Sequence, residues 1–200
     1  DQGNLIKKIA IKNHVVKDFY GFKNDNIYFS SYSKDGLSTN LWSVSVNKKF
    51  RKKIISDTYY HKFSASPSKE FFIDTYSSIL NPGETRIINN KGSIIDVIHN
   101  AKNPLENYNI GSTELIKIKT ENNILLNARI IKPYNFDERK KYSALIYVYN
   151  GPMVQLLNNS WLANTPLWMY YLANQDYIIF TVDGRGSENR GRDFEQCIFG

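Results

Sequence analysis

The chain has 200 residues, of which 42% are hydrophobic and 22% are charged, and its formal net charge is +7. This length allows one large or two small domains, and the composition is that of a globular protein. The single cysteine, Cys197, excludes an internal disulfide framework. Because no run of 18 apolar residues occurs, we expect no membrane-spanning helix.

The charge is unevenly distributed along the chain. Residues 1–108 contain 16 Lys and Arg against 10 Asp and Glu, whereas residues 109–200 contain 10 against 9. This difference predicts two units with different surfaces. Since the chain begins at Asp1 and stops soon after a helix-like segment, we also expect it to be a piece of a longer protein.

The first half, residues 1–103, is predicted to be all-β. Runs of alternating apolar and polar residues recur every 8–15 residues with polar turns between them, which is typical of a sandwich or a propeller. Two similar hairpin patterns, starting at Asn26 and Glu70, lie 43–44 residues apart, and this period favours four-stranded propeller blades. The predicted strands are residues 25–32, 40–46, 60–66, 71–76 and 84–89, with one more through Ile54 and Ile55. The predicted turns are Asp35-Gly36, Asn81-Pro82-Gly83 and Asn90-Lys91-Gly92.

A polar segment with a proline, residues 100–111, is the predicted boundary between the two units. After it the pattern changes to a hairpin, a strand, a helix and another strand, the order that opens an α/β-hydrolase sheet. The predicted elements are strands 114–120, 124–131 and 144–149, helix 165–174 with Thr165 as its N-cap, and strand 176–183.

The strand at residues 144–149 is the most informative of these elements. It is almost continuously apolar, which predicts a central strand buried on both faces of the sheet. It carries Tyr149 to its carboxyl end, where Asn150, Gly151 and Pro152 form a rigid turn. Ligands of open α/β sheets bind at the carboxyl ends of strands, so Tyr149 is a candidate site residue. The alternative is that Tyr149 is a core aromatic residue at a strand end.

Two sequence blocks carry a resemblance to a known family. Val148-Tyr-Asn-Gly-Pro152 is followed, after a helix-length gap, by Phe180-Thr-Val-Asp-Gly-Arg-Gly-Ser187 and Asn189-Arg-Gly191. Together they resemble the opening of the catalytic domain in the dipeptidyl peptidase IV family, part of the prolyl oligopeptidase clan of serine peptidases. The resemblance implies that residues 1–107 are the last blades of a β-propeller. It also implies that residues 108–200 are the incomplete start of an α/β-hydrolase peptidase domain.

The same resemblance implies a function for the longer protein. It would be a serine exopeptidase that releases N-terminal dipeptides or tripeptides after proline, or less well alanine, through an acyl-enzyme. Its partner would be a peptide substrate, no cofactor would be needed, and the full-length protein would be a homodimer. The family's members imply a periplasmic, secreted or cell-surface location.

The resemblance gives Tyr149 the role of a hydrogen-bond donor to the oxyanion. Asn150, Gly151 and Pro152 are expected to shape the turn beside it. Asp183 and Arg185 are predicted to form an ion-pair network next to the site. They are not assigned to a triad, because the Gly184-Arg-Gly-Ser-Glu segment lacks the Gly-x-Ser-x-Gly elbow that exposes a nucleophile.

No histidine or serine elbow follows Gly151, so the chain alone is predicted to be inactive. The three histidines have no metal-ligand spacing, and no metal site is expected. An alternative function is that of a non-catalytic propeller and hydrolase scaffold that binds a protein or peptide partner. The basic cluster at residues 48–53 is interpreted as a solvated hairpin tip rather than a phosphate site, and no nucleic-acid partner is expected.

Overall fold

Three sheets, each of four strands, follow one another along the chain in a computed structural model. The structure describes residues 14–47, 51–149 and 151–199, together with Gly3 and Ile9. The predictions for Asn150 and for the tip of the basic cluster at residues 48–50 lie outside the described residues.

The first two sheets are antiparallel meanders in which each strand pairs with the next one in sequence. The first meander consists of β1 (Val16–Lys23), β2 (Asn26–Tyr32), β3 (Thr39–Ser45) and β4 (Arg51–Ile55). The second meander consists of β5 (Tyr60–Ala65), β6 (Phe71–Ser78), β7 (Asn81–Asn89) and β8 (Ile94–Asn100). Successive four-stranded meanders are the repeating unit of a propeller, so this half is consistent with part of one.

The two meanders share one hydrophobic core. Because alternate side chains of a strand point to opposite faces, each meander presents an apolar face to the other. The buried residues of this core are Tyr28, Leu41, Ile54, Ile55, Phe72 and Ile88.

One predicted turn of the second meander is wrong. The segment Asn81-Pro82-Gly83 lies inside β7, and the chain reverses at residues 79–80 instead. Proline is compatible with the first residues of a strand, where no ladder donor is required. The amide of Gly83 donates to Oδ1 of Asn81 at 2.9 Å, so the first residues of β7 contain a local side-chain to backbone hydrogen bond.

The third sheet has the order β11-β12-β10-β9 and is mixed. Its strands are β9 (Ser112–Lys119), β10 (Leu125–Lys132), β11 (Ser143–Tyr147) and β12 (Tyr177–Asp183). The predicted hairpin is present as β9 and β10, and β11 runs parallel to β12, with helix α1 (Leu167–Ala173) between them in sequence. A short helix, α2 (Arg192–Glu195), follows β12.

Helix α1 packs on one face of this sheet through Met169, Tyr170 and Ala173. It begins at Leu167, and its N-cap is Pro166, which makes no side-chain capping hydrogen bond. The prediction of Thr165 as the N-cap is therefore wrong, although the helix itself lies where the sequence predicts it. Among the described residues, no helix has the length and apolar composition needed to cross a membrane.

Candidate functional site

Tyr149 lies just beyond the carboxyl end of β11, but that strand is not the buried central strand that the sequence predicts. Within the described residues, β11 pairs only with β12 and forms an edge of the sheet. Most of its side chains are open to solvent, with Ile146 66% exposed, and Tyr149 beyond its end is 56% exposed. A continuous apolar run predicts burial only where other elements cover both faces, and here one edge and much of the surface remain uncovered.

The turn after Tyr149 brings its ring over Gly151. A Cβ atom at Gly151 would lie only 2.9 Å from Cε1 of Tyr149, so any larger residue would displace the ring. Glycine here permits the close approach that keeps the ring in place. The Tyr149 hydroxyl makes no hydrogen bond to a described residue and is free to donate to a ligand.

Residues 153–165, which we call the strap, lead from this turn to helix α1. The amide of Met153 donates to the carbonyl of Gly186 at 3.0 Å, which ties the start of the strap to the loop after β12. The carboxylate of Asp183 then accepts hydrogen bonds from the amides of Leu156 and Leu157, at 2.9 and 3.1 Å. Burial raises the pKa of Asp183 above its ordinary value, while the two amide bonds act to lower it.

The predicted ion-pair network of Asp183 and Arg185 is not observed. Asp183 is buried and its two oxygens are occupied by the strap. The exposed Arg185 side chain donates from Nε to Sγ of Cys197 at 3.2 Å. The hydroxyl of Ser187 donates to the carbonyl of Gly184 at 2.8 Å, so it closes the loop.

A buried guanidinium that the sequence reasoning missed holds the other end of the strap. Arg129 of β10 is 2% exposed, and its Nη1 donates to the carbonyl of Ala163 at 2.8 Å. Its Nη2 donates to Oγ1 of Thr181 at 3.2 Å. Burial lowers the pKa of Arg129, whereas the nearby Tyr170 and the carboxylate of Asp183 act to raise it. An arginine between Ala128 and Ile130 in an apolar strand is the only sequence signal of this arrangement.

The strap ends in a left-handed turn. Leu162, Ala163 and Asn164 have φ angles of 54°, 53° and 58°, a conformation that costs non-glycine residues about 1–2 kcal/mol each. Three such residues in succession persist only where surrounding contacts hold them. Leu162 and Ala163 are buried, and the bond from Arg129 to Ala163 is one of the contacts that hold them.

The strap also contacts both meanders. The amide of Asn159 donates to the carbonyl of Leu37 at 2.8 Å, and its side-chain Nδ2 donates to the carbonyl of Thr58 at 2.7 Å. The amide of Leu162 donates to the carbonyl of Ile79 at 3.3 Å. The turn of Tyr149 is therefore connected, through one continuous segment, to the third sheet and to both meanders.

A second charged cluster is centred on buried residues of the second meander. His61 is fully buried, and its Nδ1 and Nε2 contact the carboxylates of Asp74 and Asp57 at 2.7 and 2.6 Å. Asp74 also forms a salt bridge with Arg86 at 2.9 Å. Burial acts to lower the pKa of His61, but the hydrogen bonds to the two carboxylates raise it above its ordinary value. No group of three His, Cys, Asp or Glu side chains in the described part of the chain is arranged to hold a metal ion.

Comparison with known proteins finds similarity to dipeptidyl peptidases and dipeptidyl aminopeptidases. Residues 1–83 match the family model described as the dipeptidyl peptidase IV N-terminal region. Dipeptidyl peptidase 8 of Mus musculus is 27% identical over 180 residues, which are 84% of this chain and 20% of that protein.

Two solved structures share the fold. A candidate dipeptidyl aminopeptidase IV from Bacteroides ovatus has a TM-score of 0.88 at 31% identity, covering 95% of this chain and 27% of its own. Dipeptidyl peptidase 4 of Porphyromonas gingivalis also has a TM-score of 0.88, at 25% identity, covering 98% of this chain and 28% of its own. The chain thus spans about a fifth of the curated relative and little more than a quarter of either solved chain.

Proposed function

Since the chain belongs to the dipeptidyl peptidase IV family, we propose that it is one piece of a longer serine exopeptidase, which we call the parent. The parent would release N-terminal dipeptides or tripeptides after proline or alanine. The observation that carries this proposal is the position of Tyr149. Its exposed hydroxyl stands beyond the carboxyl end of a sheet strand, on a turn that Gly151 and the strap hold in place.

The division of the chain supports the proposal. The two meanders, within residues 1–107, would be the last blades of the propeller. The third sheet, within residues 108–200, would be the first part of an α/β-hydrolase domain, because it contains a hairpin and then two parallel strands joined through a helix. The exposed apolar side chains of β11 would then be covered by the rest of that domain.

The proposed chemistry is acyl transfer. A serine elsewhere in the parent would attack the scissile carbonyl, and the carbonyl oxygen would become negatively charged in the tetrahedral intermediate. The Tyr149 hydroxyl would donate a hydrogen bond to this oxygen, which is typically worth roughly 3–4 kcal/mol of transition-state stabilisation. The loop that contains Asp183 and Arg185 would help to position the site, since Asp183 holds the backbone of the strap through two hydrogen bonds.

The test is an assay of the purified parent on chromogenic X-Pro and X-X-Pro amides. We expect turnover of at least one of them, and mass spectrometry of peptide digests would show whether two or three residues are released. A folded parent that turns over neither substrate would contradict the proposal. Binding of the peptides without turnover would favour the non-catalytic scaffold instead.

A further inference from the structure

Arg129 is a buried charged group that the proposed acyl transfer does not use. Its hydrogen-bond partners among the described residues are all uncharged: the carbonyl of Ala163 at 2.8 Å, the hydroxyl of Thr181 at 3.2 Å and the sulfur of Met169 at 3.4 Å. The carboxylate of Asp183 attracts Arg129 electrostatically, but no direct hydrogen bond joins the two side chains. Hydrogen bonds from an ionised donor are shorter and stronger than neutral ones, so the contact with Ala163 is a principal anchor of that carbonyl.

The anchored carbonyl lies in the middle of the left-handed turn. That turn is the only part of the strap in which three successive residues have positive φ angles. Shortly before it, the amide of Asn159 is bonded to a carbonyl of the first meander, and the amide of Leu162, the first residue of the turn, is bonded to a carbonyl of the second meander. Releasing the turn would let the backbone relax toward an ordinary right-handed conformation and would draw both amides away from their acceptors.

We propose that Arg129 is a positioning residue that holds the left-handed turn, keeps the strap docked on both meanders, and thereby fixes the turn that carries Tyr149. The start of the strap follows Gly151 and Pro152, so displacement of the strap shifts the backbone beside Tyr149. The effect on catalysis rests on the proposed peptidase function, whereas the effect on the strap does not.

Glycine substitution separates this role from simple core packing. Arg129→Met keeps most of the side-chain length but removes every donor. Ala163→Gly removes the steric cost of the left-handed conformation, because glycine adopts it readily. If Arg129 serves to hold the turn, the double variant Arg129→Met/Ala163→Gly recovers much of what Arg129→Met loses. Lys132→Met is the matched control, since Lys132 lies on the same strand and bonds Glu114 at the surface.

The experiment measures hydrogen exchange and kinetics in the parent. In Arg129→Met we expect the amides of Asn159 and Leu162 to exchange about 10-fold faster, with the meander strands unchanged, because local opening exposes amides without global unfolding. We expect kcat on the X-Pro amide to fall by about 10-fold with little change in KM, since the lost alignment matters in the transition state. The double variant should restore most of the slow amide exchange and most of kcat. Lys132→Met should change neither the exchange rates nor kcat.

Several outcomes would overturn the proposal. Unchanged exchange in Arg129→Met shows that the turn holds without Arg129, and failure of the glycine rescue shows that Arg129 acts only by packing. Faster exchange with normal kcat breaks the link to Tyr149. If the wild-type parent turns over no substrate, the proposed function has failed, and the exchange data alone decide whether Arg129 holds the strap. If Arg129→Met does not fold, Arg129→Lys, which keeps the charge, should show the same pattern more weakly.

Discussion

The second meander and the third sheet both bury charged side chains, but they compensate them in different ways. In the meander, His61 and Arg86 face the carboxylate of Asp74, and Asp57 completes the cluster. In the third sheet, Arg129 faces a backbone carbonyl and a hydroxyl. The first arrangement joins three side chains of the second meander to Asp57, which lies just before its first strand. The second arrangement couples a sheet to the segment that leads from Tyr149.

This difference teaches where stability and function reside. Buried charges that have a full set of partners add little net stability by themselves, but the loss of one partner leaves the others uncompensated and destabilises the sheet that contains them. A strained turn persists only where surrounding contacts hold it, so we expect a buried cation that holds such a turn to matter more for its placement than for global stability. We therefore expect substitutions in the meander cluster to change unfolding. Substitutions along the path from Arg129 to Tyr149 should change catalysis.

The largest expected effect is that of Asp74→Asn in the second meander. The neutral amide leaves Arg86 and protonated His61 without their shared counter-ion, so the free energy of unfolding should fall by about 3–5 kcal/mol. Denaturant unfolding of the parent measures this. Asp96→Asn, a change at an exposed position of β8, is the control and should have little effect. A loss below about 1 kcal/mol for Asp74→Asn would show that the cluster is not an important source of stability.

Tyr149→Phe tests the other end of the comparison. The substitution removes one hydroxyl from an exposed side chain, so the melting temperature should stay within error. In the parent, kcat should fall roughly 100- to 1000-fold, the range for deleting one oxyanion donor. Steady-state kinetics measures kcat and KM. Tyr147→Phe, at the last residue of β11, is the matched control. Normal kcat with a changed melting temperature would make Tyr149 a packing residue, and a raised KM alone would make it a substrate-binding residue.

The pH dependence of stability should belong to the meander cluster. The pKa of His61 is raised above 6.5 in the folded protein by its bonds to Asp57 and Asp74, although burial opposes the shift. Stabilisation from protonated His61 is therefore fully present below about pH 6.5, the unfolded pKa, and is lost as the pH rises through the higher folded pKa. The free energy of unfolding, measured across this pH range, should fall with rising pH in the wild type. This fall should be absent in His61→Asn. An identical pH profile in the two proteins would assign the effect to another group.

The two halves also differ in how far the sequence predicts them. Alternation and turn residues predict β2, β3, β5, β6 and β7, because these strands have one face toward the shared core. The strand β8, with Ile94, Ile95, Val97 and Ile98, has no alternation and was missed. Its side chains are exposed, so no buried face imposes a pattern.

In the third sheet, the sequence predicted Tyr149 as the last residue of a buried strand, whereas in the structure it follows an exposed strand that ends at Tyr147. Burial depends on which elements cover the strand, and an apolar run carries no information about that. The role of Arg129 was missed for a related reason. Ala163, the partner of Arg129, lies 34 residues farther along the chain. The left-handed turn around Ala163 contains no glycine that would indicate it in the sequence.

The smallest expected effect is that of substituting Arg185. It tests whether Arg185 pairs with Asp183, as their proximity in sequence suggests, or stays apart from it, as in the structure. One residue, Gly184, separates Asp183 from Arg185 in sequence, which suggests an ion pair, but the Asp183 carboxylate bonds the strap and the Arg185 guanidinium bonds Cys197. Arg185→Ala should therefore change stability by less than about 0.5 kcal/mol, as for other exposed positions. Asp183→Asn should cost about 1–3 kcal/mol, because one of two amide donors loses its acceptor.

A double-mutant cycle in the parent separates the two views of this loop. If the residues are independent, the effect of Arg185→Ala and Asp183→Asn together equals the sum of the two single effects within about 0.5 kcal/mol. A coupling energy of about 1 kcal/mol or more would mean that the ion pair forms after all. In that case Asp183 could not be serving the strap amides alone, and the path from the third sheet to Tyr149 would have to include Arg185.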